Sequence, residues 1–221
     1  MRKFKLLDLY CKAGGAGMGY HMAGFEVTGV DIKPQKNYPF KFIQGDAIEY
    51  VKAYGHLYDS IHASPPCQHA SKSTAPAKSK GKVYVDLIPA TSEALSLFNV
   101  PTIIENVPGA NIRPDIVLFG NMFGLKVRRK MVFEIENCFI LQPGNVRINY
   151  EYVQVFGAGS WKKTSTGRKP EFAKQTVRET WLYAMGITHN MTIGEIAEAI
   201  PPAYTEFIGK QIINFLNNKT L

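Results

Sequence analysis

Cysteine is scarce in this sequence and long apolar runs are missing from it, and both shortages exclude classes of protein. The three cysteines, Cys11, Cys67 and Cys138, are too few and too unevenly spaced for a disulfide framework or a zinc site. We therefore expect a cytoplasmic protein that holds no metal. No apolar stretch is long enough to span a bilayer, and the basic N-terminus lacks the apolar core of a signal peptide.

Acidic residues are also few relative to basic ones. The 221 residues include 18 Asp and Glu against 26 Lys and Arg, which gives a formal net charge of +8. This excess favours a polyanionic partner, nucleic acid first, although many small basic proteins bind no nucleic acid. The length fits one large domain, or one domain with a small appendage.

The first 50 residues have the pattern of a nucleoside-binding α/β unit. An apolar run at 4–10 predicts a buried strand, a glycine-rich loop follows, and a helix then extends to Gly24. A second strand ends in Asp31, about 20 positions after the loop, where a carboxylate can accept hydrogen bonds from ribose hydroxyls. A third strand ends just before Asp46. The loop fits a dinucleotide motif poorly and could be only a turn, but together these features favour a nucleoside-bearing cofactor.

A cysteine follows directly after a buried strand and two prolines. Residues 58–63 predict the strand, which Pro65 and Pro66 must end because proline cannot donate to a ladder. We expect Cys67 to lie on a stiff loop at the carboxyl end of that strand, where open α/β sheets place their ligands. A cysteine is more often a small buried hydrophobe, so the residue type alone does not decide its role.

The next segments add a basic loop and a buried carboxylate. Residues 71–82 form either a loop that closes over a substrate and meets phosphates, or a plain solvated loop. After a helix predicted at 85–97, a strand over 100–104 stops at Glu105. In a desolvated pocket the pKa of a glutamate rises, so that it can hold or share a proton near neutral pH. A basic run at 126–130 then precedes another strand at 131–135.

The order of these motifs resembles that of the DNA (cytosine-5) methyltransferases, most closely the short versions of bacteriophages and prophages. The motifs that carry the resemblance are Asp8-Leu9-Tyr10 with Gly14-Gly15, Pro66-Cys67-Gln68, Glu105-Asn106-Val107, the arginine pair 128–129 and Ala199-Ile200-Pro201-Pro202. The resemblance covers nearly the whole chain. It implies an α/β, Rossmann-like S-adenosylmethionine-dependent methyltransferase fold, with a mixed, mostly parallel sheet, helices on both faces and a small recognition insert.

The resemblance also divides the chain into regions. It implies a catalytic and cofactor-binding domain over 1–135, a small target-recognition region over 136–175, and C-terminal helices over 176–221 that return to the catalytic domain. In the recognition region only 153–156 predicts a clear strand, and the basic stretch 161–169 either contacts phosphates or is a disordered loop. The C-terminal helices are predicted at 176–185, 192–200 and 203–216.

Individual roles follow from the same resemblance. Cys67 would attack C6 of a flipped-out cytosine, Glu105 would bond N3 and the exocyclic amine, and Arg129 would contact the base carbonyl oxygen. S-adenosylmethionine would be the cofactor and double-stranded DNA the partner of what we expect to be a monomer. The implied cofactor-binding residues are Asp8, Tyr10, Lys12, Ala13, Gly14, Gly15, Asp31, Ile32, Asp46, Ala47, Pro65, Glu198, Ala199 and Ile200. The implied DNA contacts are Gln68, Ser71, Lys72, Lys78, Arg128, Lys162, Lys163 and Arg168.

The sequence departs from the family pattern at several of these places. Lys12 replaces a glycine, which keeps a backbone contact only if Lys12 has a negative φ. Glu198 replaces an asparagine, and Val127 and Met131 replace a glutamine and a second arginine. Two further hypotheses therefore stay open. One is the same fold and cysteine chemistry with another transferred group or a modified cofactor, and the other is a DNA-binding protein without turnover.

Overall fold

A mixed sheet organises the residues that the structure describes. The computed structural model describes residues 2–66, 85–144, 151–156 and 168–219. Within these ranges the strands are β1 (Lys5–Leu9), β2 (Glu26–Asp31), β3 (Lys41–Gln44), β4 (Ser60–Ala63), β5 (Thr102–Asn106), β6 (Ile116–Leu118) and β7 (Met131–Glu136). The helices there are α1 (Gly15–Ala23), α2 (Ala47–Tyr54), α3 (Ile88–Leu95), α4 (Val177–Met185), α5 (Ile193–Glu198) and α6 (Pro202–Lys219).

The strand order places a crevice at the centre of the sheet. The order is β3-β2-β1-β4-β5-β7-β6, in which β1 to β5 run parallel to one another and β7 is antiparallel to both β5 and β6. The chain runs outward from β1 to β3 and then crosses back to β4. Ligands of open α/β sheets bind at the carboxyl ends of the strands where the order reverses, which is the gap between β1 and β4.

Helices cover both faces of the sheet, so the central strands are apolar on both sides. Leu6 and Ile103 pack with α1 and α6, whereas their chain neighbours Leu7 and Ile104 belong to the opposite core, which α2 and α3 cover. Burying one such side chain stabilises the fold by about 1.5–3 kcal/mol. Helices α1 and α6 approach closely at Gly19, where an added Cβ would lie 2.0 Å from the carbonyl oxygen of Pro202.

Most predicted elements are present, with local differences. Helix α1 ends at Gly24, which has a φ of 117°, and threonine capping boxes form at the starts of α4 and α5, of which the sequence predicted the second, at Thr192. β5 continues through Glu105 and Asn106 instead of stopping before them, because both residues pair with β7. The predicted strand at 153–156 is wrong. Within this segment only Val153 forms a β-bridge, and its one partner is Val127.

The last two helices meet at the double proline. α5 ends at Glu198, and Pro202 begins α6, where a missing N–H costs nothing in the first turn of a helix. α6 then packs along α1, on one face of the sheet. None of the helices in the described part of the chain is long and apolar enough to cross a membrane.

Candidate active site

A cavity of about 490 Å³ opens at the carboxyl ends of β1, β4 and β5. Its volume lies within the range of small-molecule sites. The predicted site residues that line it are Asp8, Tyr10, Lys12, Ala13, Gly15, Pro65, Glu105, Arg129, Glu198, Ala199 and Ile200. These residues come from five separate stretches of the chain, which the crossover between β1 and β4 brings to one edge of the sheet.

The other predicted cofactor residues among those described lie beside the cavity, in the turn before α1 and at the carboxyl ends of β2 and β3. They are Gly14, Asp31, Ile32, Asp46 and Ala47. Asp31 accepts hydrogen bonds from the backbone N–H groups of Lys12 (3.1 Å) and Lys33 (3.0 Å). The side chain of Ile32 is 65% exposed. Asp46 caps α2 through its Oδ1 atom, so one of its two oxygens already serves the helix.

Asp8, on β1, is a fully buried carboxylate in the wall of the cavity. The hydroxyl of Tyr38 donates to its Oδ2 over 3.2 Å, and its Oδ1 has no hydrogen-bond partner among the described residues. Desolvation raises the pKa of Asp8 to about 7, although hydrogen bonds with Tyr38 and with the backbone of Gly17 lower it, and the nearby charge of Asp31 adds to the rise. No pattern in the sequence indicated that Tyr38 enters the core, which it does by packing on Gly29.

Glu105 is the second buried carboxylate of the cavity, at the end of β5. Burial raises its pKa to about 7, although the charge of Arg129 and a hydrogen bond with Ser64 act in the opposite direction. Glu105 can therefore gain or lose a proton near neutral pH, as the strand-end position predicts. The site thus contains a carboxyl group suited to proton transfer next to a permanent cation.

Arg129 is held in place by the elements around it. Its Nη1 donates to the carbonyl oxygens of Ala197 (2.8 Å) and Val155 (3.2 Å), and its own carbonyl oxygen accepts from the Tyr204 hydroxyl (2.7 Å). Its φ of 29° lies in the left-handed region, which such contacts must stabilise. Arg128 and Arg168 are exposed.

A buried histidine lies behind Glu105. His62, on β4, is fully buried, and desolvation lowers its pKa to about 3, so the imidazole is neutral. Its Nδ1 lies 3.0 Å from the Tyr20 hydroxyl and its Nε2 lies 2.8 Å from Ser64 Oγ. The period of two along β4 could have indicated this arrangement, because it places His62 and Ser64 on the same face of the sheet.

Two of the departures from the family pattern meet across the cavity. Lys12 Nζ forms an ion pair with Glu198 Oε2. Lys12 does not have the negative φ on which its backbone contact with the cofactor was expected to depend, because its φ is 47°, and its backbone N–H donates to Asp31. The lysine keeps the left-handed conformation that glycine adopts easily, at a cost of about 1 kcal/mol.

The predicted nucleophile and most predicted DNA contacts lie outside the described residues. These are Cys67, Gln68, Ser71, Lys72, Lys78, Lys162 and Lys163. The chain before Cys67 is described, and there Asn106 Nδ2 donates to the carbonyl oxygen of Pro65 over 3.0 Å. Cys11 lines the cavity too, but burial, with the charges of Asp8 and Asp31, raises the pKa of its thiol and suppresses the reactive thiolate.

Solved structures with the same architecture identify the fold. An Entamoeba histolytica methyltransferase, EhMeth, is 12% identical with a TM-score of 0.57, over 98% of this chain and 99% of that one. The Dnmt2 methyltransferase of S. pombe gives the same identity and TM-score, over 97% and 100%. The chain has a Rossmann-like methyltransferase fold. The predicted fold class is therefore confirmed.

A further solved structure is less similar to this chain, and two other comparisons find no match. A prophage-encoded DNA modification methyltransferase from E. coli is 20% identical, with a TM-score of 0.45 over 60% of this chain. The chain covers 46% of that protein, about half of its length. No protein-family model matches the sequence, and comparison with curated proteins finds no match. The described residues contain no group of three or more His, Cys, Asp or Glu that could hold a metal ion.

Proposed function

We propose that this protein transfers a methyl group from S-adenosylmethionine to C5 of cytosine in double-stranded DNA, with Cys67 as the nucleophile. One observation carries the proposal. A buried carboxyl with a pKa of about 7, Glu105, lies beside the guanidinium of Arg129, in a cavity whose wall includes the two prolines before Cys67. The motif order of the cytosine-5 methyltransferases assigns a role to each of these three residues.

The cavity fits the cofactor that this reaction needs. The buried Oδ1 of Asp8 can accept a hydrogen bond from an ammonium or hydroxyl group in the cavity. Asp31, which follows the glycine-rich loop at the end of β2, would accept hydrogen bonds from a ribose, and the exposed Ile32 next to it would offer an apolar surface to a purine. Tyr10, whose hydroxyl is fixed by Thr91 at 2.8 Å, would pack against the adenosine.

The chemistry assigns each protein group a step. The Cys67 thiolate adds to C6 of the flipped base while Glu105 donates a proton to N3, so that C5 becomes nucleophilic like an enamine carbon. S-adenosylmethionine, when bound, would supply an electrophilic methyl group to C5 and would leave as the neutral thioether S-adenosylhomocysteine. Loss of the C5 proton to a base then expels the thiolate from C6, N3 returns its proton to Glu105, and 5-methylcytosine is released.

Arg129 and the basic surface would position the substrate. Arg129 already binds two carbonyl oxygens, so its guanidinium is fixed before a base arrives and can present a donor of its planar fork to the cytosine O2. The exposed Arg128 and Arg168 and the net charge of +8 favour contact with DNA phosphates.

A second candidate function keeps this chemistry but uses a modified cofactor. It is favoured by the Lys12–Glu198 pair, which adds both signs of charge to the cavity wall where the family pattern has uncharged residues. An extra charged group on the cofactor could break this pair and bind one of its members.

The test is transfer of label to DNA. Purified protein is incubated with methyl-labelled S-adenosylmethionine and mixed-sequence duplex DNA, and the digested nucleosides are identified by mass. We expect label in 5-methylcytosine with the wild type and with the matched cysteine control C138A, and none with C67A. Label in another nucleoside, or an active C67A protein, would contradict the proposal. If the protein is given a cofactor extract from cells instead, a modified cytosine heavier than 5-methylcytosine would support the second candidate.

A further inference from the structure

A row of hydrogen-bonding side chains connects the core of the protein to Glu105. The register pairs His62 on β4 with Asp8 on β1 and with Ile103 on β5. Two residues further along each strand, Ser64 and Glu105 stand side by side, and the Ser64 hydroxyl lowers the pKa of Glu105 as a hydrogen-bond donor. From Tyr20 on α1, the row passes through His62 and Ser64 to the carboxyl of Glu105.

The direction of the hydrogens in this row can be deduced from burial. Tyr20 is fully buried, and burial raises the pKa of its hydroxyl, with Asp8, Cys138 and Glu105 acting in the same sense, so the hydroxyl keeps its hydrogen. Among the described residues its hydrogen-bond partner is His62 Nδ1. A buried hydroxyl hydrogen without an acceptor is costly, so Tyr20 donates to Nδ1.

The remaining hydrogens follow from that first bond. Because Nδ1 accepts and the imidazole is neutral, the single ring hydrogen is on Nε2, and it is donated to Ser64 Oγ. Ser64 must then use its own hydrogen on Glu105. One carboxyl oxygen of Glu105 is thus always an acceptor, and a proton that binds Glu105 must occupy the other oxygen.

We propose that Tyr20 and His62 are positioning residues, which act through Ser64 to direct the proton of Glu105 to the oxygen on the cavity side. The catalytic consequence rests on the proposed function, because it is a cytosine N3 in the cavity that would receive this proton. The tautomer of His62 does not rest on it. Arg129 is the charged group that acts on Glu105 most directly, and it acts through its charge, whereas Ser64 is the side chain that forms the hydrogen bond.

The experiment is an NMR measurement on the full chain labelled with ¹⁵N-histidine. Long-range ¹H–¹⁵N correlations distinguish the two tautomers of each of the five histidines, and the H62Q variant assigns His62. We expect His62 to be the neutral Nε2–H tautomer, unchanged from about pH 5.5 to 8.5 while Glu105 titrates around its pKa of about 7. An Nδ1–H tautomer, an imidazolium, or a tautomer that changes with the titration of Glu105 would overturn the proposal.

The Y20F variant tests the cause. Without the phenol hydroxyl, Nδ1 loses its donor, and His62 should become a mixture of tautomers. Y58F removes a tyrosine hydroxyl on the other face of the sheet, where Tyr58 contacts Tyr50, and should leave His62 unchanged. If H62Q does not fold, the one imidazole that responds to Y20F supplies the assignment. A pure Nε2–H tautomer in folded Y20F would contradict the role of Tyr20.

Kinetics separate this inference from the proposed function. If the wild type methylates cytosine, Y20F should lower kcat about tenfold and leave KM little changed. This loss is smaller than the loss of a general acid itself would cause. Y20F should also displace the pH profile of kcat. Equal kcat values and pH profiles for Y20F and Y58F would overturn the positioning role even if methyl transfer is established. If the wild type shows the expected His62 tautomer but transfers no methyl group, the proposed function is contradicted and the hydrogen-bonded row is not.

Discussion

The two ends of the cavity each contain a buried carboxylate, and the two carboxylates have different surroundings. Asp8, at the β1 end, has the Tyr38 hydroxyl as a donor and Asp31 as a nearby like charge. Glu105, at the β5 end, has the cation Arg129 and the hydroxyl of Ser64. Burial raises both pKa values to about 7. The comparison teaches that burial produces the same pKa beside another carboxylate, at Asp8, and beside a cation, at Glu105.

The largest effect expected from this comparison is on catalysis at Glu105. E105Q keeps the shape of the side chain but cannot donate a proton, so methyl transfer should fall by about 10²–10⁴-fold, the usual contribution of a general acid. Cofactor affinity should change little, because Glu105 would act on the base. The measurement is single-turnover transfer to DNA, with cofactor binding by calorimetry. A fall in affinity equal to the fall in rate would mean that Glu105 binds the cofactor.

At Asp8 we expect the opposite result, a loss of cofactor affinity with little change in the rate of methyl transfer. D8N replaces the buried anion with a neutral amide, so the dissociation constant of S-adenosylmethionine should rise by about tenfold, the loss of a hydrogen bond to a charged group. At saturating cofactor the rate of transfer should return close to that of the wild type. If the rate stays low at saturation while affinity is unchanged, Asp8 acts in the transfer step and not in cofactor binding.

Both carboxylates should make the free protein less stable as the pH rises. The folded pKa of each lies above its ordinary value of 3.8 for Asp8 or 4.5 for Glu105, so the folded state binds protons more tightly than the unfolded chain. Their contribution is fully present below about pH 4 and is lost as the pH rises through 7, at roughly 4 kcal/mol for Asp8 and roughly 3 kcal/mol for Glu105. Denaturant unfolding between pH 5 and 8 measures this loss.

Neutral variants of the two residues provide the control for the pH effect. D8N and E105Q should each flatten the decline in the free energy of unfolding, and the double variant should flatten it most. A decline that is the same in all three variants and the wild type would assign the pH dependence to other groups.

The smallest expected effect concerns the Lys12–Glu198 pair. Its side chains are 47% and 59% exposed, so the ion pair contributes at most about 1 kcal/mol to stability. K12G breaks the pair but also removes the left-handed strain at φ 47°, and the two effects should nearly cancel in the free energy of unfolding. E198N breaks the pair without relieving strain and should be the less stable variant. A clearly destabilised K12G protein would show that the pair contributes more than its exposure suggests.

The sequence predicted the elements that local rules determine. The glycine-rich loop, the helix end at Gly24 and the capping box at Thr192 depend on residues close in the chain, and they form as expected. The gathering of strand ends at one cavity could also be predicted, because parallel strands share an edge. What the sequence did not indicate depends on long-range contacts: Tyr38 packs on Gly29, and His62 meets Tyr20 from a different element.

Residue type misled where a tertiary contact overrides a local preference. A lysine in the left-handed region is unfavourable in isolation, yet at Lys12 the bonds to Asp31 and Glu198 stabilise it. Val153 has a strand-forming side chain but finds one bridging partner, so no strand forms among the described residues around it. The contacts of Cys67 and of the basic segments 71–82 and 161–167 remain predictions of the sequence.

The central claim, that Cys67 adds to cytosine C6 and C5 then takes the methyl group, can be tested directly with DNA that contains 5-fluorocytosine. Fluorine at C5 cannot leave as a proton does, so the adduct cannot be resolved. We expect a denaturation-resistant complex with DNA that forms only with S-adenosylmethionine, carries one added methyl group by mass, and maps to Cys67. A complex that maps to Cys11 or Cys138, or methylation of ordinary DNA without any trapped complex, would contradict the account.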